Sequence, residues 1–263
     1  NIDMVKMDYC YKPNEENGQE LYTQMSNALN ATGRPILFSL CNWGHDNVEE
    51  WGGDIAQAYR VQMDHLPFYQ WPPTASGEGY GCGTKNIIDW MADLHPSKYT
   101  RQHAWMDPDF LETLFEVCIK DVCTTMDFTA SRTEFAFWSL WSSPLMFATT
   151  PMNMTEEKKS ILMNKEVLAI HNDPLYIAGE RIYNSTTGAQ AWQRPLENGD
   201  IAVILFNSGH KRNVEVGVTW KQLGLDVEEK RSVRDLWKGE NLGEKRGAIM
   251  YKIEPKDHLL LRL

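Results

Sequence analysis

Carboxylates, a lysine, an asparagine and an indole stand where two predicted strands end. Val5-Lys6-Met7-Asp8 alternates apolar and charged residues, which predicts a short strand with Lys6 and Asp8 on one face. Burying a lysine and a carboxylate costs free energy, so this face is either a surface ion pair or part of a site. Asn42 and Trp43 follow a second predicted strand. Both strand ends therefore offer polar groups to a common site.

Two later segments offer the same chemistry. Arg60 and Asp64 follow one another at a spacing of four residues, and Asp109 follows a further predicted strand. In a barrel of alternating strands and helices, such groups gather at the carboxyl ends of the strands. Indoles stack on the apolar face of a sugar ring and carboxylates bind its hydroxyls, so the set suits a neutral polyol. Two of the carboxylates would form the pair that glycoside hydrolysis requires, although each single Asp is explained equally well as a helix cap.

Composition and motifs exclude several classes of function. The net charge of −10 and the pI near 5.2 argue against nucleic acid as a partner. No apolar run is long enough to cross a bilayer. The sequence has no His/Cys cluster with metal-ligand spacing, no phosphate-binding glycine loop after a strand and no serine in a nucleophile elbow. We therefore expect neither a metal nor a cofactor.

The chain up to about residue 178 alternates predicted strands and helices. Residues 14–32 predict a helix, and the apolar run that follows it predicts a buried strand, so the two complete a parallel crossover unit with the first strand. The irregular composition of residues 71–84, rich in Gly and Pro, predicts a shaped excursion. The remaining elements predicted are helices over Asn86–Leu94, Thr133–Leu140 and Glu156–Leu162, the last capped by Thr155, a partly helical segment over 112–124, and a buried strand over Pro144–Ala148.

After Gly179 the pattern changes to alternating strands separated by turns, which predicts an antiparallel β-sandwich. We therefore expect an α/β part over residues 1–178 and a sandwich over residues 179–263. Trp192, Trp220 and Trp237 are interpreted as core residues of the sandwich rather than as sugar platforms. The predicted strands are 189–194, 201–207, 214–218, 231–235, 248–253 and 258–263.

Cysteines and glycosylation sequons favour a secreted, lysosomal or vacuolar protein. Five cysteines are present, and an odd count indicates a free thiol or a partner elsewhere. Sequons begin at Asn30, Asn153 and Asn184. Cys118 and Cys123 are close enough in sequence to bridge each other, unless the segment between them is helical.

These residues fall into motifs, and in them the chain resembles the α-galactosidases and α-N-acetylgalactosaminidases of glycoside hydrolase family 27. Lys6-Met7-Asp8-Tyr9-Cys10 is similar to the family's nucleophile strand, and Ser39 to Gly44 to its sugar-recognition strand. The resemblance covers essentially the whole chain. It also includes Tyr59 to Asp64 as the acid/base segment, Trp105-Met106-Asp107-Pro108-Asp109, the run from Trp138 to Thr149, and Asn164-Lys165-Glu166-Val167 with Asn172-Asp173-Pro174-Leu175.

The resemblance implies a retaining glycosidase acting on α-linked galactose. Asp8 would be the nucleophile that forms a covalent glycosyl-enzyme, and Asp64 the acid/base that protonates the leaving oxygen and then activates water. The substrate-binding residues implied by the family motifs are Lys6, Cys41, Asn42, Trp43, Arg60 and Asp109.

The chain departs from the family pattern chiefly at its start. The family's barrel has eight strands with the nucleophile on the fourth, and this chain begins at that strand, so the resemblance implies strands 4–8 of a (β/α)8 barrel followed by the sandwich. Because the open sheet edge is an aggregation hazard, we expect a second chain or a cleaved N-terminal fragment to complete the barrel. In the family the partner of Cys10 lies upstream, which implies a disulfide to that segment.

Three further departures bear on the site. Residues 66–104 form a longer segment than in common members, either a roof over the pocket or a surface insertion. Met106 replaces the usual Asn of its motif. Asn42 and His45 are too bulky for an acetamido group, which favours galactose over N-acetylgalactosamine.

A non-catalytic glycan-binding or structural subunit is the alternative from another class of function. The sequence leaves the aglycone and the formation of a homo-oligomer open.

Overall fold

A computed structural model describes residues 2–13, 16–70, 81–119, 122–152 and 154–263. Its first half is built on four parallel strands in the order β1-β2-β3-β4, with helices α1 to α3 as the crossover connections between successive strands. Their bounds are β1 Met4–Asp8, α1 Gly18–Ala31, β2 Leu37–Cys41, α2 Val48–Ile55, β3 Ala58–Arg60, α3 Thr84–Leu94 and β4 Trp105–Asp107. Residues 71–80, within the predicted excursion, lie outside the described residues.

Local sequence signals explain these first elements. The side chain of Asn17 accepts a hydrogen bond from the N–H of Gln19 and so caps α1, and Gly33 adopts a φ of 71° just beyond the end of the helix. Phe38 and Leu40 of β2 are buried beneath the helices. In β1 the charged Lys6 is exposed between half-buried neighbours, as the alternation predicts.

The predicted helix over residues 112–124 is wrong. This segment is an antiparallel hairpin of β5 (Glu116–Ile119) and β6 (Val122–Thr125), and its richness in β-branched residues favours strand over helix. Cys118 is disulfide-bonded and lies opposite Cys123 in the register of the hairpin. The helical geometry that would have forbidden a bridge between these two positions is therefore not present.

The predicted strand over residues 144–148 is also wrong as a strand. This segment pairs with the rest of the α/β part through one parallel bridge, between Leu111 and Phe147. Around that bridge the Leu111 N–H donates to the Met146 carbonyl at 2.7 Å, and the Ala148 N–H donates to the Leu111 carbonyl at 3.0 Å. The ladder ends at this bridge because the next backbone groups on the partner segment are bonded elsewhere: the Asp109 N–H donates to Oδ1 of Asp107, and the Asp109 carbonyl accepts from Nε1 of Trp138.

Helix α4 (Phe128–Leu140) lies between the α/β part and the sandwich. Asp127 caps it by accepting the Ala130 N–H, and almost every side chain from residue 130 onward is buried. The rings of Phe137 and Phe206 lie 5.2 Å apart across the boundary between the two parts. Helices α5 (Glu156–Leu162) and α6 (Lys165–His171) follow it.

Residues 180–263, all described, form a six-stranded sheet in the order β12-β11-β14-β9-β8-β7 and a two-stranded sheet of β10 and β13. Every predicted strand is present, and β7 and β12 were not predicted. Trp192 and Trp220 are fully buried, as interpreted from the sequence. The bounds are β7 Glu180–Asn184, β8 Ala189–Pro195, β9 Ile201–Asn207, β10 Val214–Thr219, β11 Lys230–Asp235, β12 Glu240–Arg246, β13 Ala248–Ile253 and β14 His258–Arg262.

The expected fold class, a partial α/β barrel followed by an antiparallel β-sandwich, is confirmed by this topology. The division at residues 178 and 179 stays a prediction. Within the described ranges, no helix is both long and apolar enough to span a bilayer.

Candidate active site

The register of the parallel sheet aligns the carboxyl ends of its strands. Asp8, the last residue of β1, pairs with Cys41, the last residue of β2. Arg60, the last residue of β3, pairs with Asp107, the last residue of β4. The polar residues singled out from the sequence therefore lie along one edge of the sheet, as expected for parallel strands.

Arg60 connects two of the predicted carboxylates. Its Nη2 lies 3.1 Å from Oδ1 of Asp64 and 2.9 Å from Oδ2 of Asp109. Arg60 and Asp109 are buried, whereas the side chain of Asp64 is 60% exposed. Nη1 of Arg60 also donates to the Cys41 sulfur at 3.4 Å. One guanidinium thus fixes three groups of the predicted site, and the exposed Asp64 keeps access to a ligand.

Asp8 is held at the exposed end of β1. Its Oδ1 accepts the Tyr9 N–H at 2.7 Å and the Cys10 thiol at 3.4 Å. The hydrogen bond to Asp8 raises the pKa of the Cys10 thiol, and desolvation and the negative charges of Asp8 and Asp64 add to this shift. The ammonium of Lys6 lies 4.7 Å above the ring of Phe110, which directs it toward the β4 end of the site.

The loop after β2 is strained where it carries Asn42 and Trp43. Trp43, Asp46 and Asn47 all have left-handed backbone angles, with φ between 51° and 58°. Gly44 is required here because a Cβ at that position would lie 2.5 Å from the Val61 carbonyl oxygen. The loop is thus shaped around the neighbouring β3 segment.

Asn42 is completely buried in this loop, and its side chain has a hydrogen-bond partner at the nitrogen only. Its Nδ2 donates to the His45 carbonyl at 2.8 Å, whereas its Oδ1 has no hydrogen-bond partner among the described residues. A buried acceptor left in this state is suited to a ligand hydroxyl.

Three buried acids and a histidine near the site were not predicted from the sequence. Asp107 is fully buried, and burial raises its pKa while its Oδ1 accepts the Asp109 N–H at 2.8 Å. Burial also raises the pKa of Glu112, to about 7, and that of Glu134. His65 is packed against this group. Asp107 belongs to the Trp-Met-Asp-Pro-Asp motif, but no spacing pattern pointed to His65 or Glu134.

Two cavities lie at opposite ends of the parallel strands. One of about 500 Å³ is lined by the loop after β2, the residues before Asp64 and the helix α3, including Trp43, Gln62 and Trp90. Another of about 480 Å³ lies at the opposite, amino-terminal ends of the strands, with Met4 and Trp105 in its largely apolar wall. The first adjoins the predicted acid/base segment, and the second lies inside the partial barrel.

The sequons and possible metal ligands complete the survey. Asn30 and Asn184 are exposed, and Asn153 lies outside the described residues. In the described part of the chain, no group of three or more His, Cys, Asp and Glu side chains is arranged to hold a metal ion.

Comparisons with known proteins agree with this geometry. The family model described as alpha galactosidase A (melibiase) matches residues 1–173, and that of the alpha-galactosidase C-terminal beta sandwich domain matches residues 186–263. A probable alpha-galactosidase of Dictyostelium discoideum is 32% identical, over 92% of this chain and 57% of its own length. An alpha-galactosidase of Oryza sativa subsp. japonica is 29% identical, over 97% of this chain and 55% of its own.

The crystal structure of alpha-galactosidase I from Mortierella vinacea superposes with a TM-score of 0.88 at 30% identity, covering 99% of this chain and 67% of that one. The chain spans about half the length of the curated relatives it matches. Because the first family model matches well over half of the chain, the resemblance is confirmed: the protein belongs to the alpha-galactosidase (melibiase) family, glycoside hydrolase family 27.

Proposed function

We propose that the protein hydrolyses terminal α-linked galactosides with retention of anomeric configuration. The observation that carries this proposal is a chain of contacts at the strand ends: Asp8 pairs in register with Cys41, and Arg60 bonds both the Cys41 sulfur and Asp64. Family membership supplies the substrate class, since the matched relatives are named alpha-galactosidases. A non-catalytic role would not require this set of charged groups to be kept together.

In the first step Asp8 attacks the anomeric carbon and Asp64 protonates the departing oxygen. The Tyr9 N–H orients the Asp8 carboxylate. Arg60 bonds Oδ1 of Asp64, so Oδ2 is the oxygen that carries the proton to the leaving group. In the second step Asp64 takes a proton from water, which attacks the covalent galactosyl-Asp8 and releases galactose.

The remaining predicted residues bind the sugar. Asp109 commits Oδ2 to Arg60 and to the His65 N–H, and its Oδ1 accepts a galactose hydroxyl. Asn42 braces the loop after β2 through its bond to the His45 carbonyl, and Trp43 on that loop forms a wall of the pocket. Lys6 and Cys41 border the ring on the β1 and β2 side.

Galactose is favoured over N-acetylgalactosamine because the matched relatives are named alpha-galactosidases, and because the bulk of Asn42 and His45 is unsuited to an acetamido group. Initial rates on the two p-nitrophenyl α-glycosides discriminate these substrates. A preference for the N-acetylated substrate would contradict this assignment.

Trapping tests the nucleophile directly. A 2-fluoro-galactosyl fluoride should label Asp8, detected by peptide mass spectrometry, and Asp8→Asn should abolish both labelling and turnover. Asp54→Asn, at an exposed surface ion pair, is the matched control and should keep full activity. Labelling of another carboxylate, or inversion seen by NMR of the first-formed galactose, would refute the mechanism.

We also propose that an upstream segment, on the same or a second polypeptide, completes the barrel. Met4 and Leu37 are 42% and 38% exposed, and the apolar cavity of about 480 Å³ opens beside them. Cys10 is a free, exposed thiol within the described chain and is placed to bridge that segment. Intact-mass analysis of the native protein with and without reduction tests this, and a lone chain with Cys10 free would contradict it.

Passage through the secretory pathway to the exterior, the lysosome or the vacuole is proposed on the two exposed sequons. Endoglycosidase treatment of the native protein should lower its mass, and loss of the shift in Asn30→Gln with Asn184→Gln would locate the glycans. No mass change in the native protein would count against this location.

A further inference from the structure

His65 directly follows the proposed acid/base Asp64, yet its side chain points away from solvent. The residue is 3% exposed, and the mechanism above assigns no proton transfer to it. A buried imidazole beside a catalytic carboxylate needs partners for both ring nitrogens.

The partners of His65 fix its tautomer. Nδ1 lies 2.8 Å from the Phe110 carbonyl oxygen, and because a carbonyl only accepts, Nδ1 carries the proton. Nε2 is then an acceptor, and the hydroxyl of Thr84 donates to it at 3.1 Å. Burial lowers the pKa of His65 to about 4, so the ring stays neutral near neutral pH.

The backbone of His65 is tied to the same segment as its ring. Its N–H donates to Oδ2 of Asp109 at 2.9 Å, the oxygen that also contacts Arg60. Arg60 in turn bonds Asp64, the residue before His65. A closed ring of contacts therefore joins Asp64, Arg60, Asp109 and His65. In this ring the backbone N–H of His65 bonds Asp109, and the imidazole of His65 bonds the Phe110 carbonyl.

Helix α4 supports this ring from behind. The indole of Trp138 stacks on the His65 ring at 5.4 Å, and its Nε1 donates to the Asp109 carbonyl at 2.8 Å. Glu134, fully buried, has its Oε1 3.5 Å from Nδ1 of His65 and accepts from the N–H of Glu112 and the hydroxyl of Thr113. Each rotamer in the cluster is thus held by at least one further contact.

From this geometry we propose that His65 is a positioning residue, which sets the acid/base carboxylate of Asp64 against the galactose-binding Asp109. The inference rests on the proposed function. When the glycosidic C–O bond breaks, its electron pair goes to the leaving oxygen, Asp8 forms the new bond to carbon, and Asp64 supplies the proton. If Asp64 is displaced, the rate of bond cleavage therefore falls most for a substrate whose leaving group must be protonated to depart.

Leaving-group dependence tests this directly in the intact protein. We compare kcat/KM for 2,4-dinitrophenyl α-galactoside, whose phenolate leaves unprotonated, with that for an α-galactosyl-glucose disaccharide, whose sugar leaves only when protonated. The ratio kcat/KM is used because it reports bond cleavage and not the later hydrolysis of galactosyl-Asp8. His65→Leu should lower the value for the disaccharide about 100-fold and that for the dinitrophenyl substrate by about 3-fold or less.

Two variants make the test specific. His65→Asn keeps a donor near the position of Nδ1 and should recover part of the loss on the disaccharide. His258→Asn changes another fully buried neutral histidine, which contacts Thr133 and Trp237 away from the site, and should reduce both substrates equally or not at all. An equal loss on both substrates for a folded His65→Leu would overturn the proposal.

If His65→Leu does not fold, Thr84→Val removes the donor to Nε2 and leaves the ring in place. It should give a smaller loss in the same direction, with the disaccharide affected more, and a folded variant without that difference would also overturn the proposal. A wild-type protein inactive on both substrates refutes the proposed function instead, so the two failures are distinguishable.

Discussion

Arg60 and Asp109 form a buried ion pair, with Nη2 and Oδ2 2.9 Å apart and both side chains less than a tenth exposed. Two further negative groups, Asp107 and the more exposed Asp64, add to the field that raises the pKa of the Arg60 guanidinium against the opposing effect of its burial. The pair is therefore one unit, in which neither partner is tolerated alone.

Removing only the cation should be strongly destabilising. Arg60→Met leaves the Asp109 carboxylate buried without its charge partner, and we expect the free energy of unfolding to fall by about 3–5 kcal/mol. Adding Asp109→Asn should recover a large part of that loss, since the uncompensated charge is then absent. Urea unfolding of the single and double variants measures both effects. Arg181→Met, a less buried arginine near Asp89 and Asp93, is the control, and a loss as large there would contradict the argument.

Glu112 should make stability fall with rising pH. Burial, and secondarily the charge of Asp109, raises its pKa to about 7 from the ordinary value of 4.5. The folded state therefore binds more protons than the unfolded state between these values, and the stabilisation present below pH 4.5 is lost as pH rises through 7.

The matching variant is Glu112→Gln, which cannot ionise. Its free energy of unfolding relative to wild type should increase from pH 5 to pH 8, whereas that of the exposed Glu240→Gln should stay constant. Urea titrations at intervals of one pH unit measure the difference. A Glu112→Gln difference independent of pH would show that the carboxyl titrates normally.

The pair of Glu166 and Arg234 joins α6 to the sandwich strand β11. Nε and Nη2 of Arg234 each lie 2.6 Å from one carboxylate oxygen of Glu166, a bidentate arrangement that lowers the pKa of Glu166. A double-mutant cycle to Ala should give a measurable favourable coupling free energy. The same cycle on Arg101 and Asp54, which are more than half exposed, should give almost no coupling free energy. Equal coupling free energies for the two pairs would contradict a stabilising role of the bidentate geometry.

The sequence was most informative where period and chemistry agree. The alternation of Lys6 and Asp8 with apolar neighbours predicted both a strand and its exposed face, and the buried run at β2 predicted its partner. Residues 112–124 are ambiguous in the sequence because a short apolar run has no period of its own, and the register that sets Cys118 opposite Cys123 decides for strand. Residues 144–148 have the composition of a buried strand, but the Asp109 backbone groups that would extend the ladder are bonded to Asp107 and Trp138.

His65 and Glu134 could not have been found from spacing. They are 69 residues apart, on different elements, and meet only when α4 packs behind the strand ends. A lone histidine or glutamate in a sequence has many ordinary explanations, so only their distance of 3.5 Å and their complete burial show that they belong together. Sequence motifs identify the residues that contact a ligand more reliably than the residues that position them.

Helix α4 also limits how the protein can be divided. On one side Trp138 bonds the carbonyl of Asp109, and on the other Thr133 bonds the carbonyl of Lys256 in the sandwich. A chimaera that exchanged only the sandwich for that of a relative would therefore place an unmatched surface against the Thr133 side of this helix. A crossover before residue 128 instead moves the mismatch to the Trp138 side, at the strand ends that carry Asp109, so recombination between family members should preserve activity better when the crossover lies after residue 140 than when it lies before residue 128.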